Sequence, residues 1–194
     1  MPAMIAHAGK ELRISGQIDC DPAGLFHVPP ERDWLIAHCK PRQEKCLCRE
    51  LSQRGIPRGI FLERRLRRYP GKGTSESLVP LLGGYVFCIG NQAEHETIYR
   101  TERVARIIRV VDSNRLAQQL QMLALLLERT EGPMEVRPDI VVGTVVTITR
   151  GTLAGLSGVV VRRKASAQLV VNLTVLGTSV AVELPVETAE LLDA

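Results

Sequence analysis

The hydrophobic pattern of the first part of the chain predicts strands and helices in turn. The apolar run at residues 34–38 is short and bounded by Asp33 and Pro41, which is typical of a buried strand. Residues 42–54 then place Leu47 and Leu51 on one helical face, and Gly55 predicts the helix end. Residues 113–129 carry a wide apolar stripe behind a cap at Asp112 or Ser113, so they predict a helix that must be buried.

Further strands are predicted between these two helices. Residues 56–62, 78–89 and 104–111 have the composition of strands, and residues 94–100 form a short helical candidate. Residues 64–77 are basic and contain glycine, which indicates a long, mobile hairpin loop. The first domain is therefore expected to be α+β, a mostly antiparallel sheet with helices packed on it.

The composition changes after residue 140. Valine and threonine become frequent, aromatic residues are absent, and short apolar runs occur at residues 145–148, 158–161, 169–173 and 180–184. Short strands in so small a segment hide their edges by curling into a barrel. We therefore expect a flexible extension at residues 1–31, an α+β domain at 32–131, a linker at 132–140 and a small all-β barrel at 141–194.

The amino-acid composition argues against several classes of protein. The 194 residues are 45% hydrophobic and 24% charged, as in ordinary globular proteins. Aromatic residues make up only 4%, which argues against a stacking platform for single-stranded nucleic acid. No apolar run is long enough for a membrane span and no secretory leader is evident, so we expect a cytoplasmic protein without membrane contact. Five cysteines, an odd number, then predict reduced thiols rather than a disulfide framework.

Positive charge is concentrated in residues 54–72. Glu63 is the only acidic residue there, against the basic residues Arg54, Arg58, Arg64, Arg65, Arg67, Arg68 and Lys72. Such a cluster can follow a phosphate backbone or meet an acidic protein surface. The alternative is that these charges only keep a hairpin tip in water.

The sequence does not favour an enzyme or a metal site. His38 and Cys39 are adjacent, so strand alternation would send their side chains to opposite faces. On a helix Cys46 and Cys48 lie about 200° apart, which prevents both from joining His38 and Cys39 around one zinc ion. The glycines at 151–158 lack the Lys-Ser/Thr pair and the following helix of a phosphate-binding loop. We expect no catalytic residues, no metal and no cofactor.

Two sets of motifs resemble the NusG family of transcription elongation factors. The loop with Gly151, Gly155 and Gly158 between apolar strands resembles the family's KOW barrel. Trp34-Leu-Ile-Ala, Lys40-Pro41 with Glu44, and Gly84-Tyr-Val-Phe resemble its amino-terminal domain in the same order. The resemblance covers residues 33–192. It implies an RNA polymerase-binding α+β domain followed by an SH3-like KOW barrel.

The resemblance also implies partners for particular residues. The amino-terminal domain of the family binds the β′ clamp helices of RNA polymerase and reaches the β gate loop. Clamp contact would fall on an exposed apolar patch made of Trp34, Leu81, Leu82, Tyr85 and Phe87. Trp34, Val86 and Phe87 could instead be plain core residues.

Two further segments have implied contacts. His95 and Thr97 resemble the gate-loop segment of the specialised paralogue RfaH, although hydrogen bonding at a helix start is an alternative role. The hairpin residues Arg64, Arg65, Arg67, Arg68 and Lys72 would approach non-template DNA.

The chain departs from the family at two places. Leu82-Gly83 replaces the usual Phe-Pro, and Gly151-Thr152-Leu153 lacks the aromatic residue with which the KOW loop binds Rho or a ribosomal protein. The partner loop would consist of Gly151, Leu153, Gly155 and Gly158. These departures favour a specialised, RfaH-like paralogue over a general factor.

The sequence thus predicts a monomeric, non-enzymatic elongation or antitermination factor that suppresses pausing or termination. The alternative is an RNA- or ribosome-binding KOW-type module.

Overall fold

The computed structural model describes residues 11–20, 31–69, 73–130, 132, 134–163 and 166–184, with the backbone alone at 11–20, 67–69, 163 and 166. The strands within these residues are β1 (Glu11–Cys20), β2 (Asp33–Cys39), β3 (Arg58–Tyr69), β4 (Gly73–Pro80), β5 (Tyr85–Gly90), β6 (Val104–Arg109), β7 (Met134–Arg137), β8 (Val145–Thr147), β9 (Ser157–Arg163), β10 (Ser166–Leu173) and β11 (Thr178–Glu183). The helices are α1 (Glu44–Gln53), α2 (Gln92–Tyr99) and α3 (Ser113–Arg129), with a 3-10 turn at Thr174–Leu176.

The strands form two antiparallel sheets. The first has six strands in the order β1-β3-β5-β2-β6, with β4 paired to β3 outside this path. The second has five strands in the order β7-β11-β10-β9-β8. The predicted α+β class is therefore confirmed at the level of helices combined with antiparallel sheets.

β2 is apolar on both of its faces, and each face packs in a separate core cluster. Trp34 and Ile36 pack in one core cluster with the leucines of α3, including Leu120. Leu35 and Ala37 belong to a second cluster, which contains the buried apolar residues of α1 and α2. A strand buried on both sides reads as a continuous apolar run, which is why residues 34–38 were predictable.

The predicted helices form with bounds close to expectation. The Asp112 side chain accepts a hydrogen bond from the Arg115 N–H at 2.9 Å and so caps α3. Asn91 caps α2, and its own backbone N–H donates to the Glu94 side chain at 2.7 Å. After α1, Gly55 adopts a φ of +68°, the left-handed conformation that glycine accepts most readily.

The prediction of a flexible extension over residues 1–31 is wrong for residues 11–20. These residues form β1, which pairs antiparallel with β3 from Glu11↔Arg67 to Cys20↔Gly59. The register shifts between Arg13 and Ser15. Leu12, Ile14, Ile18 and Cys20 alternate with polar residues, so the pattern of a strand was present in the sequence. Residues 1–10 and 21–30 lie outside the described residues.

The prediction of a long mobile loop at residues 64–77 is also wrong. β3 continues to Tyr69, β4 begins at Gly73, and the two pair from Leu62↔Pro80 to Tyr69↔Gly73. The basic residues therefore lie on a strand with defined faces. Charged side chains are common on strands near a sheet edge, where one side meets water.

The second sheet contains the four strands that the sequence predicted, and the SH3-like barrel stays a prediction. Among the described residues, β7 and β8 are the two end strands of the order. β7 itself lies within the segment predicted as linker and pairs with β11 from Met134↔Val182 to Arg137↔Ser179. Met134 is buried, so this segment belongs to the packed structure.

α3 joins the two sheets. One core cluster contains its leucines, the first-sheet residues Trp34 and Phe87, and the second-sheet residues Leu169 and Val180. Polar contacts reinforce this packing. The Gln119 Nε2 donates to Thr174 Oγ1 at 3.1 Å, and the Thr174 N–H donates to Gln119 Oε1 at 3.2 Å. α3 thus has an apolar contact on more than one side, as its wide stripe requires.

Candidate functional site

The two amino-terminal motifs lie side by side in the first sheet. β2 and β5 pair antiparallel from Asp33↔Gly90 to His38↔Tyr85, so the tryptophan segment runs alongside the tyrosine segment. The rings of His38 and Tyr85 are 5.1 Å apart, and both side chains are half-buried. Gly84, with a φ of +84°, makes the turn into β5 and would bring any Cβ to 3.5 Å from the His38 ring.

Most of the residues predicted for polymerase docking are buried rather than exposed. Trp34 and Phe87 are 0% exposed, and Leu81 and Leu82 are 5% and 4% exposed. The expected exposed apolar patch is therefore corrected: these four residues lie in the core cluster shared with α3.

Local geometry explains why Leu81 is turned inward. Its N–H donates to Phe61 O at 2.8 Å, which ties the β4–β5 turn to β3. The Phe61 and Phe87 rings meet edge to face at 5.6 Å. Tyr85 keeps a partly exposed ring.

The predicted gate-loop residues lie on α2. Thr97 Oγ1 donates to Ala93 O at 3.0 Å, and the His95 ring lies 5.4 Å from Tyr99. The helix-start hydrogen bonds are made by Asn91 and Glu94, so the alternative role for His95 and Thr97 is not observed. His95 also lines a cleft of about 340 Å³ with Trp34 and Arg109.

The basic hairpin residues are held by acidic neighbours where their side chains are described. Arg64 Nε lies 3.0 Å from Glu76 Oε1 on the paired strand. Arg65 Nε donates to Glu63 Oε1 at 2.6 Å, and Glu63 is 2% exposed. The side chains of Arg67 and Arg68, and the whole of Lys72, lie outside the described residues.

The glycine loop of the second part is shaped by its backbone. Gly151 and Gly155 have φ values of +82° and +87°. A Cβ at Gly158 would lie 2.5 Å from Val170 O on the neighbouring strand. Leu153, predicted for partner contact, is 3% exposed and packs in the core, while Arg129 of α3 donates to Ala154 O. The loop is docked against α3.

Sequence reasoning missed a basic pocket between α1 and the β3–β4 hairpin. Its volume is about 430 Å³, and its lining residues are Lys45, Arg49, Ser52, Gln53, Arg58, Leu62 and Leu78. The signal was available, because Lys45, Arg49 and Ser52 follow the i, i+4, i+7 spacing of one helix face. Arg58 comes from a different element, so only the tertiary structure brings it to this face.

The thiols of Cys39 and Cys88 are buried in the core. Burial, with a smaller contribution from Glu44, raises the pKa of the Cys39 thiol to about 12. Burial also raises the pKa of the Cys88 thiol, and the neighbouring Cys48 and Cys39 add to the effect. These thiols stay protonated at neutral pH and are poor nucleophiles and metal ligands. Within the described ranges, no group of three or more His, Cys, Asp or Glu side chains could hold a metal ion.

Comparisons with known proteins do not identify a family for this chain. No family model matches the chain, and no curated protein matches it at a significant level. None of the helices that the structure describes combines the length and apolar character needed to cross a bilayer.

Proposed function

We propose that this protein is a NusG-type transcription factor that acts in the cytoplasm, binds RNA polymerase across the clamp, and suppresses pausing or termination. In this proposal residues 32–131 contact the polymerase, and the second sheet is a KOW-type module that binds a further partner such as Rho or a ribosomal protein. The protein acts as a monomer and without a cofactor. Its RfaH-like departures make it a specialised member of the family.

One observation carries the proposal. The Trp34 and Tyr85 segments resemble the family in sequence, and they are paired neighbours that end at the adjacent His38 and Tyr85 rings, which are tilted by 33°. Motifs remote in sequence thus meet at one place in the fold. A half-buried aromatic pair at the rim of an apolar core is the kind of feature that anchors protein interfaces.

The burial of Leu81 and Leu82 modifies how docking would occur. Tyr85 and His38 form the accessible part of the motif, and Tyr85 packs against the core cluster that contains the two leucines. Clamp contact therefore depends first on the Tyr85 ring. A factor that binds only the closed clamp favours that state by its difference in affinity for the two states.

A substitution at Tyr85 tests this proposal. Tyr85→Glu replaces one ring of the His38–Tyr85 pair with a charge, so we expect the full-length variant to lose binding to purified bacterial core RNA polymerase by at least about tenfold. Val145→Glu is the control, because Val145 is 66% exposed on β8 of the second sheet and lies outside the residues proposed to contact the polymerase. Binding is measured by biolayer interferometry, with circular dichroism to verify that both variants fold.

The outcomes separate clearly. Selective loss in Tyr85→Glu supports the docking site. Equal binding by wild type and Tyr85→Glu would refute the proposed site, and no binding by the wild type at any salt concentration would refute polymerase as the partner.

The basic pocket beside α1 favours the second candidate, an RNA- or ribosome-binding module. Cationic surfaces bind nucleic acid without polymerase, and such binding weakens steeply with salt. Polymerase binding through an apolar contact should be much less sensitive to salt. Comparing the two salt dependences with the same wild-type preparation distinguishes the candidates.

A further inference from the structure

The turn that leads into β5 is built on two consecutive glycines. Gly83 and Gly84 follow Leu82, and Gly84 adopts a φ of +84°. Glycine has the widest backbone freedom of all residues, so a Gly-Gly turn has little conformational preference of its own. Contacts with the rest of the fold must therefore fix this turn and the Tyr85 that follows it.

A carboxylate of α1 holds the turn from one side. Glu44 is the first residue of α1, and its Oε1 accepts the Gly84 N–H at 2.8 Å, although the two residues lie 40 positions apart in the chain. Glu44 is 8% exposed. Burying a carboxylate costs free energy unless hydrogen bonds compensate, and a bond to a charged acceptor is stronger than one between neutral groups. The Glu44 side chain is therefore a firm connection between α1 and the turn.

β2 holds the same residue from the other side. The Cys39 N–H donates to Gly84 O at 2.7 Å, so the N–H and the C=O of Gly84 are both bonded to other elements. A Cβ at this position would lie 3.5 Å from the His38 ring, so the glycine backbone lies directly beside that ring. The Gly84 contacts thus determine where β5 begins and how Tyr85 is presented next to His38, 5.1 Å between ring centroids.

We infer that Glu44 is a positioning residue for the docking site. It holds the Gly83-Gly84 turn so that Tyr85 and His38 keep the arrangement that contacts the partner, and the inference rests on the proposed function because these two rings form the proposed contact. Without the Glu44 bond the turn samples other conformations. The apparent affinity then falls with the fraction of molecules that keep the binding arrangement.

Glu50 provides a control on the same helix. Its carboxylate is half-buried and pairs with Arg54 and Arg103 rather than with the turn. Glu50→Ala therefore removes ion pairs of α1 and leaves the Gly84 contacts in place. A merely structural role of Glu44 would give the two alanine variants the same effect on binding.

The first test measures binding of the full chain to purified bacterial core RNA polymerase by biolayer interferometry. We expect Glu44→Ala to bind about tenfold more weakly, the effect of losing one charge-assisted hydrogen bond. Glu44→Gln keeps an oxygen that accepts the Gly84 N–H, so it should bind within about threefold of wild type. Glu50→Ala should bind like wild type, and thermal unfolding of each variant checks its fold.

The second test reports on the turn without polymerase. Amide hydrogen exchange is followed by NMR on isotope-labelled protein. The Gly84 N–H should exchange slowly in wild type and in Glu44→Gln, and at least about tenfold faster in Glu44→Ala. The His38 ring resonances should shift in Glu44→Ala, because the position of the Tyr85 ring beside them changes.

The outcomes separate this inference from the proposed function. Wild-type binding by Glu44→Ala, equal losses in Glu44→Ala and Glu50→Ala, or a loss in Glu44→Gln as large as in Glu44→Ala would each overturn the positioning role. If the wild type does not bind polymerase, the proposed function fails, and the Gly84 exchange rate still decides whether Glu44 holds the turn. Unchanged exchange in Glu44→Ala would show that it does not.

Discussion

A single backbone contact determines which residue can stand at position 158. Gly158 is buried in β9, and an added Cβ would lie 2.5 Å from Val170 O and 3.0 Å from the Leu169 side chain. Real Cβ atoms do not approach a backbone oxygen so closely, and the neighbouring strand is paired to β9 in this region. The glycine spacing of the loop was visible in the sequence, but this steric reason was not.

Gly158→Ala should therefore be destabilising. We expect a loss of about 2 kcal/mol in the free energy of unfolding, because the strand must shift to admit the methyl group. Gly83→Ala is the matched control, since nothing lies within 4 Å of its added Cβ and its φ is not positive. Urea unfolding measures both, and equal stability of the two variants would contradict this account.

At the scale of the element, α3 follows directly from its sequence. Asp112 caps its first turn and the buried leucines recur at helical spacing. Local hydrogen bonding and a periodic apolar stripe are both short-range features, so a single sequence is enough to reveal them.

Asp112→Ala should weaken this helix. The substitution leaves the Arg115 N–H without its acceptor, so we expect the protein to lose about 1 kcal/mol of stability. Asp139→Ala removes an exposed carboxylate elsewhere and serves as the control. Thermal melts compare the two, and a midpoint for Asp112→Ala that equals the control would argue against the cap.

The strands β1, β3 and β4 show where element prediction failed. Arg64 and Arg65 looked like loop residues because they are charged, yet both pair within the sheet. Their side chains are partly exposed and bonded to Glu76 and Glu63, which offsets their charge. β1 was missed although its apolar residues alternate with polar ones, because the scattered glycines and prolines of residues 1–31 indicated an extension. Pairing with a strand distant in sequence makes both the basic segment and residues 11–20 part of the sheet. The composition of a segment does not reveal such pairing.

At the scale of the whole molecule, the two sheets share one apolar cluster through α3. The sequence suggested two domains with a linker, but Met134 of that segment is buried in the common cluster. Units that share a core lose part of it when either one unfolds, so their unfolding is coupled.

We therefore expect the full chain to unfold in a single transition. Trp34 is the only tryptophan and lies in the first sheet, so its fluorescence reports on that sheet, whereas circular dichroism reports on both. The two probes should give coincident urea curves. Gln119→Ala removes the hydrogen bonds to Thr174 and should lower the shared midpoint by an amount that corresponds to about 1 kcal/mol. Separate transitions for the two probes would mean that the sheets unfold independently.

The sequence by itself determined the three helices, the buried strand β2, four strands of the second sheet, and the glycine loop between two of them. Each depends on periodicity or turn chemistry within a few residues of chain. Only the tertiary structure decided that the docking leucines are buried, that the basic segment is a strand, and that Arg58 joins Lys45 and Arg49 in one pocket. These features arise from contacts between segments far apart in the chain, where burial and charge depend on the neighbour that arrives rather than on the residue itself.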